Sequence, residues 1–482
     1  MTNKLQMYAR EVGSYKLTEN GAFAYNTTND ALLDLFATAG ALRPRPEYQI
    51  IEKFNKAFNE NPLLATKMLF YIGNIRGGLG ERRTFKICLK WLAENYPEVM
   101  IKNISLIPFY NRWDSVFQLI GTPVEKEMWH LVKTQLHEDN MNAINHKPIS
   151  LLAKWLPSEN ASSKETKKLA YKVMSELGLE PRRYRKTLSY LREYLRITER
   201  DMSAKNWGNI NYEAVPSKAM LNYREAFVRH DEERFNEYLA GLRTGEKKIN
   251  AKTLFPYELV AGYWNYNEVI EAQWKALPNY VTDESNILVM ADVSDSMSGR
   301  PMDTSVGLAT YFAERNHGPL KGVYMTFTSD PHFIYLDEED TLATKIRKVR
   351  STDIGYSTNL ERAFDYLLKV AVKNNFSEED IPKALVVISD MEIDHYVSYY
   401  GLDFVGEQVI KYANAGFNLP KLILWNVESR QDTFLTKDKN VIMVSGQSPS
   451  TFKNLLAGVE GKTSWDVLLE TLLDPMYEMV TI

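Results

Sequence analysis

The sequence predicts two parts of different class: an α-helical array over residues 1–280, followed by an α/β doubly wound domain over 281–482. Three observations predict this. From about residue 28 to 280, apolar residues recur three and four apart, as on one face of a helix. From residue 287 onward, short apolar runs alternate with helical stretches, the pattern of parallel strands and crossover helices. The charge also changes sign at the junction: Lys+Arg number 40 against 32 Asp+Glu in 1–280, and 18 against 30 in 281–482. At 482 residues the chain exceeds one ordinary core.

In the helical part, Ala31–Phe36 and Ile50–Phe58 read as core-facing helices. Asn61-Pro62 starts the next, Leu63–Ile72, because a proline's missing N–H costs nothing in a first turn. Trp91–Tyr96, Trp129–Leu136 and Leu169–Leu177 continue the series. Short helices joined by short polar loops predict a stacked, repeat-like array, without the fixed period of a consensus solenoid. In the second part, strands are expected at Ile287–Ala291, Gly322–Phe327, Leu385–Ile388, Leu422–Trp425 and Val441–Val444. Helices are expected at Met302–Glu314, Leu360–Ala371, Phe404–Ala413, Ser448–Leu456 and Trp465–Leu473, with an edge hairpin strand over Pro331–Leu336.

Composition narrows the function classes. With 44% hydrophobic and 25% charged residues, no apolar run near the roughly 18 residues of a membrane span and no leader pattern, a cytoplasmic protein without a membrane partner is expected. A single cysteine, Cys88, excludes an intrachain disulfide, and seven scattered histidines argue against Cys/His zinc clusters. Gly461-Lys462-Thr463 invites a phosphate-loop reading, but the required first glycine falls on Leu456. No nucleophile elbow or zinc-protease motif occurs, and His395 beside Asp394 has no nucleophile in sequence reach. A non-enzymatic protein is expected.

The first strand of the second part ends in Asp292-Val293-Ser294-Asp295-Ser296, which puts a carboxylate and two hydroxyls on one turn. In open α/β sheets ligands gather at that edge, and three oxygen donors suit a hard cation such as Mg²⁺. Two other loops offer more oxygen: Thr358 ahead of a helix, in Gly355–Leu360, and Asp390 at the end of the Leu385–Ile388 strand. Together these resemble the metal-ion-dependent adhesion site of von Willebrand factor A domains. The resemblance implies that Ser294, Ser296 and Thr358 ligate Mg²⁺, or another hard divalent cation. Asp292 and Asp390 would act directly or through water, and an open position would accept an acidic group from a partner. Asp295 departs from the glycine common at that place. The alternative is a strand-to-helix turn capped by Asp292 and Ser294, which needs neither Thr358 nor Asp390.

The helical part carries a basic stretch. Between 181 and 200 lie Arg182, Arg183, Arg185, Lys186, Arg192, Arg196 and Arg200, against Glu193 and Glu199. Arg185, Arg192 and Arg196 are spaced for one helix face, and Tyr184, Tyr190 and Tyr194 interleave as candidate base-stacking groups. The alternative is a solvated face with its tyrosines in the core. Trp113, Trp155 and Trp207 read as core anchors.

The segments Arg76–Arg83, Ser150–Ser158, Tyr184–Arg192, Glu199–Trp207, Val215–Met220, Tyr223–Asp231 and Lys247–Pro256 resemble the TROVE module of Ro ribonucleoproteins. They are more similar still to an uncharacterised Ro-like family with the same helical-plus-A-domain layout. The similarity runs from Thr18–Gly21 to Val444–Gly446. It implies HEAT-like repeats closed into a ring with an A domain attached, binding small structured non-coding RNAs and the single-stranded ends of misfolded ones. The RNA-binding residues it implies here are Arg76, Arg82, Arg83, Arg182, Arg183, Arg185, Lys186, Arg192, Arg196, Lys205 and Lys218. The glycines of the Arg76–Arg83 loop suit a phosphate and a tight interhelical turn equally. Two other functions compete: a scaffold that grips an acidic protein partner through the cation, and a metal-dependent phosphodiesterase with Glu392 as the only base in reach.

Overall fold

The computed structural model describes residues 13–262, 267–281, 286–351, 357–396, 399, 402–456 and 461–482. Of the segments singled out above, Gly355 and Tyr356 lie outside the described residues. The chain opens with a short antiparallel pair, β1 (Tyr15–Leu17) and β2 (Phe23–Tyr25). A helical series follows: α1 (Ala31–Phe36), α2 (Glu47–Glu60), α3 (Pro62–Gly73), α4 (Arg82–Asn95), α5 (Pro97–Asn103), α6 (Ile107–Tyr110) and α7 (Glu125–Ile144). It continues with α8 (Leu152–Trp155), α9 (Lys164–Leu177), α10 (Pro181–Tyr194), α11 (Thr198–Ser203), α12 (Ser217–His230), α13 (Glu232–Thr244), α14 (Pro256–Val260) and α15 (Glu268–Lys275).

Local chemistry explains the punctuation. The Asn61 side chain accepts the Leu64 N–H at 3.0 Å and Pro62 opens α3, as the sequence predicts. Ser163 caps α9, and Gly178 ends it at φ 65, in the left-handed region. The Arg76–Arg83 loop is a tight interhelical turn: a Cβ on Gly78 would lie 2.1 Å from the Tyr71 carbonyl oxygen.

The second part is a six-stranded sheet in the order β5-β4-β3-β6-β7-β8. Its strands are β3 (Ile287–Asp292), β4 (Val323–Phe327), β5 (His332–Tyr335), β6 (Ala384–Ser389), β7 (Lys421–Asn426) and β8 (Ile442–Ser445). All pairs are parallel except β4–β5. Helices α16 (Arg300–Arg315), α17 (Leu342–Arg350), α18 (Leu360–Lys373), α19 (Phe404–Asn414), α20 (Thr451–Leu456) and α21 (Ser464–Leu472) complete it. Every residue of β3 and β6 is buried, which is why both read as unbroken apolar runs. The sequence pattern marks neither β1, β2 nor α17, sets no bounds for α5, α6, α8 or α11–α15 within the helical part, and starts α20 three residues early, at Ser448 rather than Thr451.

The chain progresses outward from β3 to β4 and β5, then returns to place β6 on the other side of β3. The order therefore reverses between β3 and β6, the place where open α/β sheets form a ligand crevice.

The two parts share one apolar core, in which Leu35, Phe70 and Leu89 join Val289, Trp425 and Phe452. The N-terminal segment lies on the sheet domain: Thr18 Oγ1 donates to Ile393 O at 2.7 Å, and Tyr25 exchanges backbone hydrogen bonds with Phe434. Conversely, residues 476–482 lie on the helices. There the Asn103 side chain bonds both backbone groups of Thr481, and Tyr477 stacks on Tyr110 at 5.4 Å. Among the described residues, no helix is long and apolar enough to cross a membrane.

Candidate functional site

At the switch point, the β3–β6 register sets Ala291 opposite Ile388, so Asp292 and Ser389 leave the sheet side by side. Asp292 is fully buried. Its Oδ1 accepts the Ser294 hydroxyl at 2.6 Å and the Ser294 N–H at 3.0 Å, while Oδ2 accepts the Ser389 hydroxyl at 2.7 Å. Ser294 Oγ lies 3.1 Å from Ser296 Oγ and accepts the Thr358 hydroxyl at 3.1 Å. Thus Asp292, Ser294 and Ser296 at the end of β3 meet Thr358 from a second segment, and Ser389 at the end of β6 adds a third. Asp292, Ser294 and Thr358 are buried, whereas Ser296 and Asp295 are exposed at the rim.

These spacings are ordinary hydrogen bonds. They also match the edge of an octahedron with cation–oxygen distances near 2.1 Å, about 3 Å. All donors are oxygen, so the set fits a hard cation. Among the described residues no cluster of three His, Cys, Asp or Glu could hold a metal, so a cation here would depend on hydroxyls. Burial, and then the Asp390 charge, push the Asp292 carboxyl well above the usual carboxylate range. A simple helix cap gains nothing from a second buried carboxylate nearby.

Asp390 belongs to the cluster at one remove. Its Oδ1 accepts the Glu392 N–H at 3.0 Å, and its Oδ2 accepts from Arg430 at 2.8 Å. Arg430 also bridges to Glu19 at 2.8 Å and to Glu428 at 3.5 Å. Burial works against the Arg430 charge, but Glu19 and Asp390 outweigh it and hold the guanidinium above its ordinary pKa. No short sequence motif marks Arg430 and Glu19, which meet from 411 positions apart. Glu392, the base of the hydrolase alternative, is buried and tied down by the Glu19 N–H, the Gln431 amide and the Thr433 hydroxyl.

The basic stretch forms a second candidate site. Pro181 opens α10, whose Tyr184, Leu188 and Leu191 are buried on one face. Arg182, Arg183, Arg185 and Lys186 lie exposed on the other. Tyr184 hydrogen-bonds Pro157 O at 2.7 Å from inside the core, Tyr194 reaches Lys147 O, and Tyr190 remains exposed. The shared face expected for Arg185, Arg192 and Arg196 does not form. The helix ends at Tyr194, and Arg196 turns away at φ 50. Arg185 pairs with Glu159. Arg192 donates to Ala153 O at 2.9 Å, Leu156 O at 2.8 Å and Ser158 Oγ at 3.3 Å, and so caps the end of α8.

A cavity of about 780 Å³ opens beside this face, bordered by Lys154, Trp155, Arg185, Leu188, Arg192 and Arg200. Trp113 is buried as expected, Trp207 stacks on His230 at 4.5 Å, and Trp155 borders the cavity instead of sitting wholly in the core.

The other candidate cations lie elsewhere. Arg76 donates to Phe109 O and Arg83 to Arg45 O, while Arg82 stands exposed near Arg112 and Asp114. Lys205 is exposed at φ 58, and Lys218 bonds Glu258 at 2.7 Å.

Fold and site define a class: a helical array joined to a doubly wound sheet domain with oxygen-bearing side chains gathered at its switch point. Residues 286–470 match the model of a domain of unknown function, DUF7788. Residues 18–113 and 160–287 match that of a second domain of unknown function, DUF2828. The chain is 28% identical over 494 residues to uncharacterized protein L728 of Acanthamoeba polyphaga mimivirus, covering 93% of this chain and 86% of the relative. The crystal structure of the Deinococcus radiodurans RO (RSR) protein aligns with a TM-score of 0.48 at 13% identity, covering 92% of this chain and 99% of that one.

Proposed function

We propose that this chain is a non-enzymatic RNA-binding protein of the Ro-like kind, with a TROVE-like helical domain over 1–280 and a von Willebrand factor A-like domain over 281–482. The helical domain binds small structured or misfolded non-coding RNA through its basic surface, and the A-like domain holds a divalent cation such as Mg²⁺. The observation that carries the RNA reading is the outer face of α10. There Arg182, Arg183 and Lys186 are exposed and make no ion pair among the described residues. Exposed cations free of ion pairs are what a phosphate backbone neutralises.

In the A-like domain, Ser294, Ser296 and Thr358 would hold the cation, with Asp292 behind them orienting the Ser294 hydroxyl. The cation supplies an open coordination position for an acidic group. Arg430 neutralises Asp390 and keeps the site from carrying two unbalanced buried carboxylates.

Electrophoretic mobility shift with structured and 3′-tailed RNAs tests the reading. Reversing Arg182, Arg183 and Lys186 to Glu should weaken binding and lower the salt dependence, by roughly 0.9 in log–log slope for each phosphate that is no longer neutralised. Binding equal to that of a charge-matched control protein, or unchanged by the triple reversal, overturns it. A cation-dependent protein scaffold is favoured instead by one observation: Arg185, Arg192 and Lys218 are already engaged within the chain. A pull-down of an acidic partner, sensitive to EDTA and to Asp292→Ala, would support that reading.

A further inference from the structure

The cavity beside α10 is bordered by four cations, Lys154, Arg185, Arg192 and Arg200, and by two carboxylates, Glu159 and Glu199. Two of the cations are balanced: Arg185 by Glu159, and Arg200 by Glu193 and Asp201. The other two are not. Arg192 is half-buried, yet all three of its hydrogen bonds go to neutral oxygens. A guanidinium has five N–H donors, so two remain for another acceptor. Lys154 makes no ion pair among the described residues and stands 5.9 Å from the Trp155 ring centroid.

A withdrawn cation facing only carbonyls and a hydroxyl keeps an uncompensated charge, which a phosphate or carboxylate entering the cavity would satisfy. The remaining wall points to what else the ligand carries. Arg112 stacks on Trp155 at 4.1 Å and braces the indole, which borders the cavity together with Leu188. A braced aromatic beside a fork-shaped guanidinium and an ammonium matches a planar base joined to a phosphate. The volume lies within the 300–1,000 Å³ usual for ligand pockets.

We propose that this cavity is a nucleoside-phosphate binding site, with Arg192 and Lys154 holding the phosphate and Trp155 and Leu188 packing the base. The inference deepens the RNA reading and rests on it only for the source of the nucleotide, which is either a free mononucleotide or one unit of a single strand.

Isothermal titration of the full chain with AMP, adenosine and a short oligoadenylate tests it. AMP should bind at one site, and adenosine roughly tenfold or more weakly, for want of charge-assisted hydrogen bonds. Lys154→Gln and Arg192→Lys should each weaken AMP roughly tenfold. Arg192→Lys keeps the charge but loses the fork. Circular dichroism and the melting temperature confirm that each variant is folded, and Lys154→Gln touches no capping bond. Oligoadenylate bound more tightly than AMP through the same residues identifies a strand unit, and equal affinities identify a free nucleotide; both uphold the site. Absence of AMP binding, or affinity unchanged in both variants, overturns it. AMP bound by a chain that shifts no RNA keeps the pocket and removes the RNA reading. RNA shifted by a chain that binds no AMP does the reverse.

Discussion

Asp432 joins the sheet domain to α2, and its removal has a calculable cost. Its carboxylate pairs with Arg45 and, at 3.0 Å, with Lys53. The side chains of Arg45 and Lys53 are only 9% and 10% exposed, against 32% for Asp432. Asp432→Asn leaves two nearly buried cations short of their counter-charge. Breaking a buried pair from one side costs about 3–5 kcal/mol. Two features reduce this: Asp432 is partly solvated, and Lys53 also faces the buried Asp34. We expect about 2–3 kcal/mol. Urea unfolding followed by tryptophan emission measures it, with equal m-values required of the compared proteins. A double-mutant cycle with Lys53→Met should show coupling of about 1 kcal/mol or more. The pH dependence supplies a signed test. Burial raises the Asp432 carboxyl, but Lys53 and Arg45 outweigh it, so the group sits below its ordinary value. Its contribution is therefore present above the unfolded value near 3.9 and is lost as pH falls through the lower folded value. Wild type should lose stability faster than Asp432→Asn as pH drops below about 4. Equal stability at neutral pH, or parallel acid profiles, refutes the reasoning.

Three further outcomes are expected. Gly40→Ala should lower the melting temperature, because the new Cβ would lie 2.4 Å from Gly446 Cα, backbone that cannot swing aside; overpacking of this kind costs about 1–3 kcal/mol, and an unaltered melt contradicts the close approach. Mg²⁺ at a hundredfold excess over its dissociation constant should stabilise the wild type by about 2.7 kcal/mol in a thermal-shift assay and leave Asp292→Asn unmoved; equal shifts in both remove the cation from that site. Cys88 is fully buried and burial pushes its thiol up, so thiol reagents should label it only on unfolding; rapid labelling of the folded chain refutes this.

The strands and most helices were legible because burial on one face or two leaves a periodic trace. β1 and β2 left none: they are three residues each, only partly buried, and held by Phe434 some four hundred residues away. α17 carries Lys345, Arg347, Lys348 and Arg350 in nine residues, which masks its apolar side. At the candidate cation site, Asp292, Ser294 and Ser296 stood out as oxygen donors at a strand end and Thr358 as one ahead of a helix, and folding brought them together.

Local periodicity specifies which side chains emerge at the sheet edge and that α10 turns a charged side away from its buried Tyr184, Leu188 and Leu191, but not that the helix ends before Arg196. Which charges are already balanced was settled only when the chain folded. Arg430 neutralises Asp390 and reaches Glu19, Arg185 is matched by Glu159, and Arg192 caps α8 while keeping an unbalanced charge beside a cavity. The difference is one of range: helix and strand patterns are set within a few residues. Whether a cation is free depends on carboxylates and carbonyls that arrive from distant segments only when the core closes.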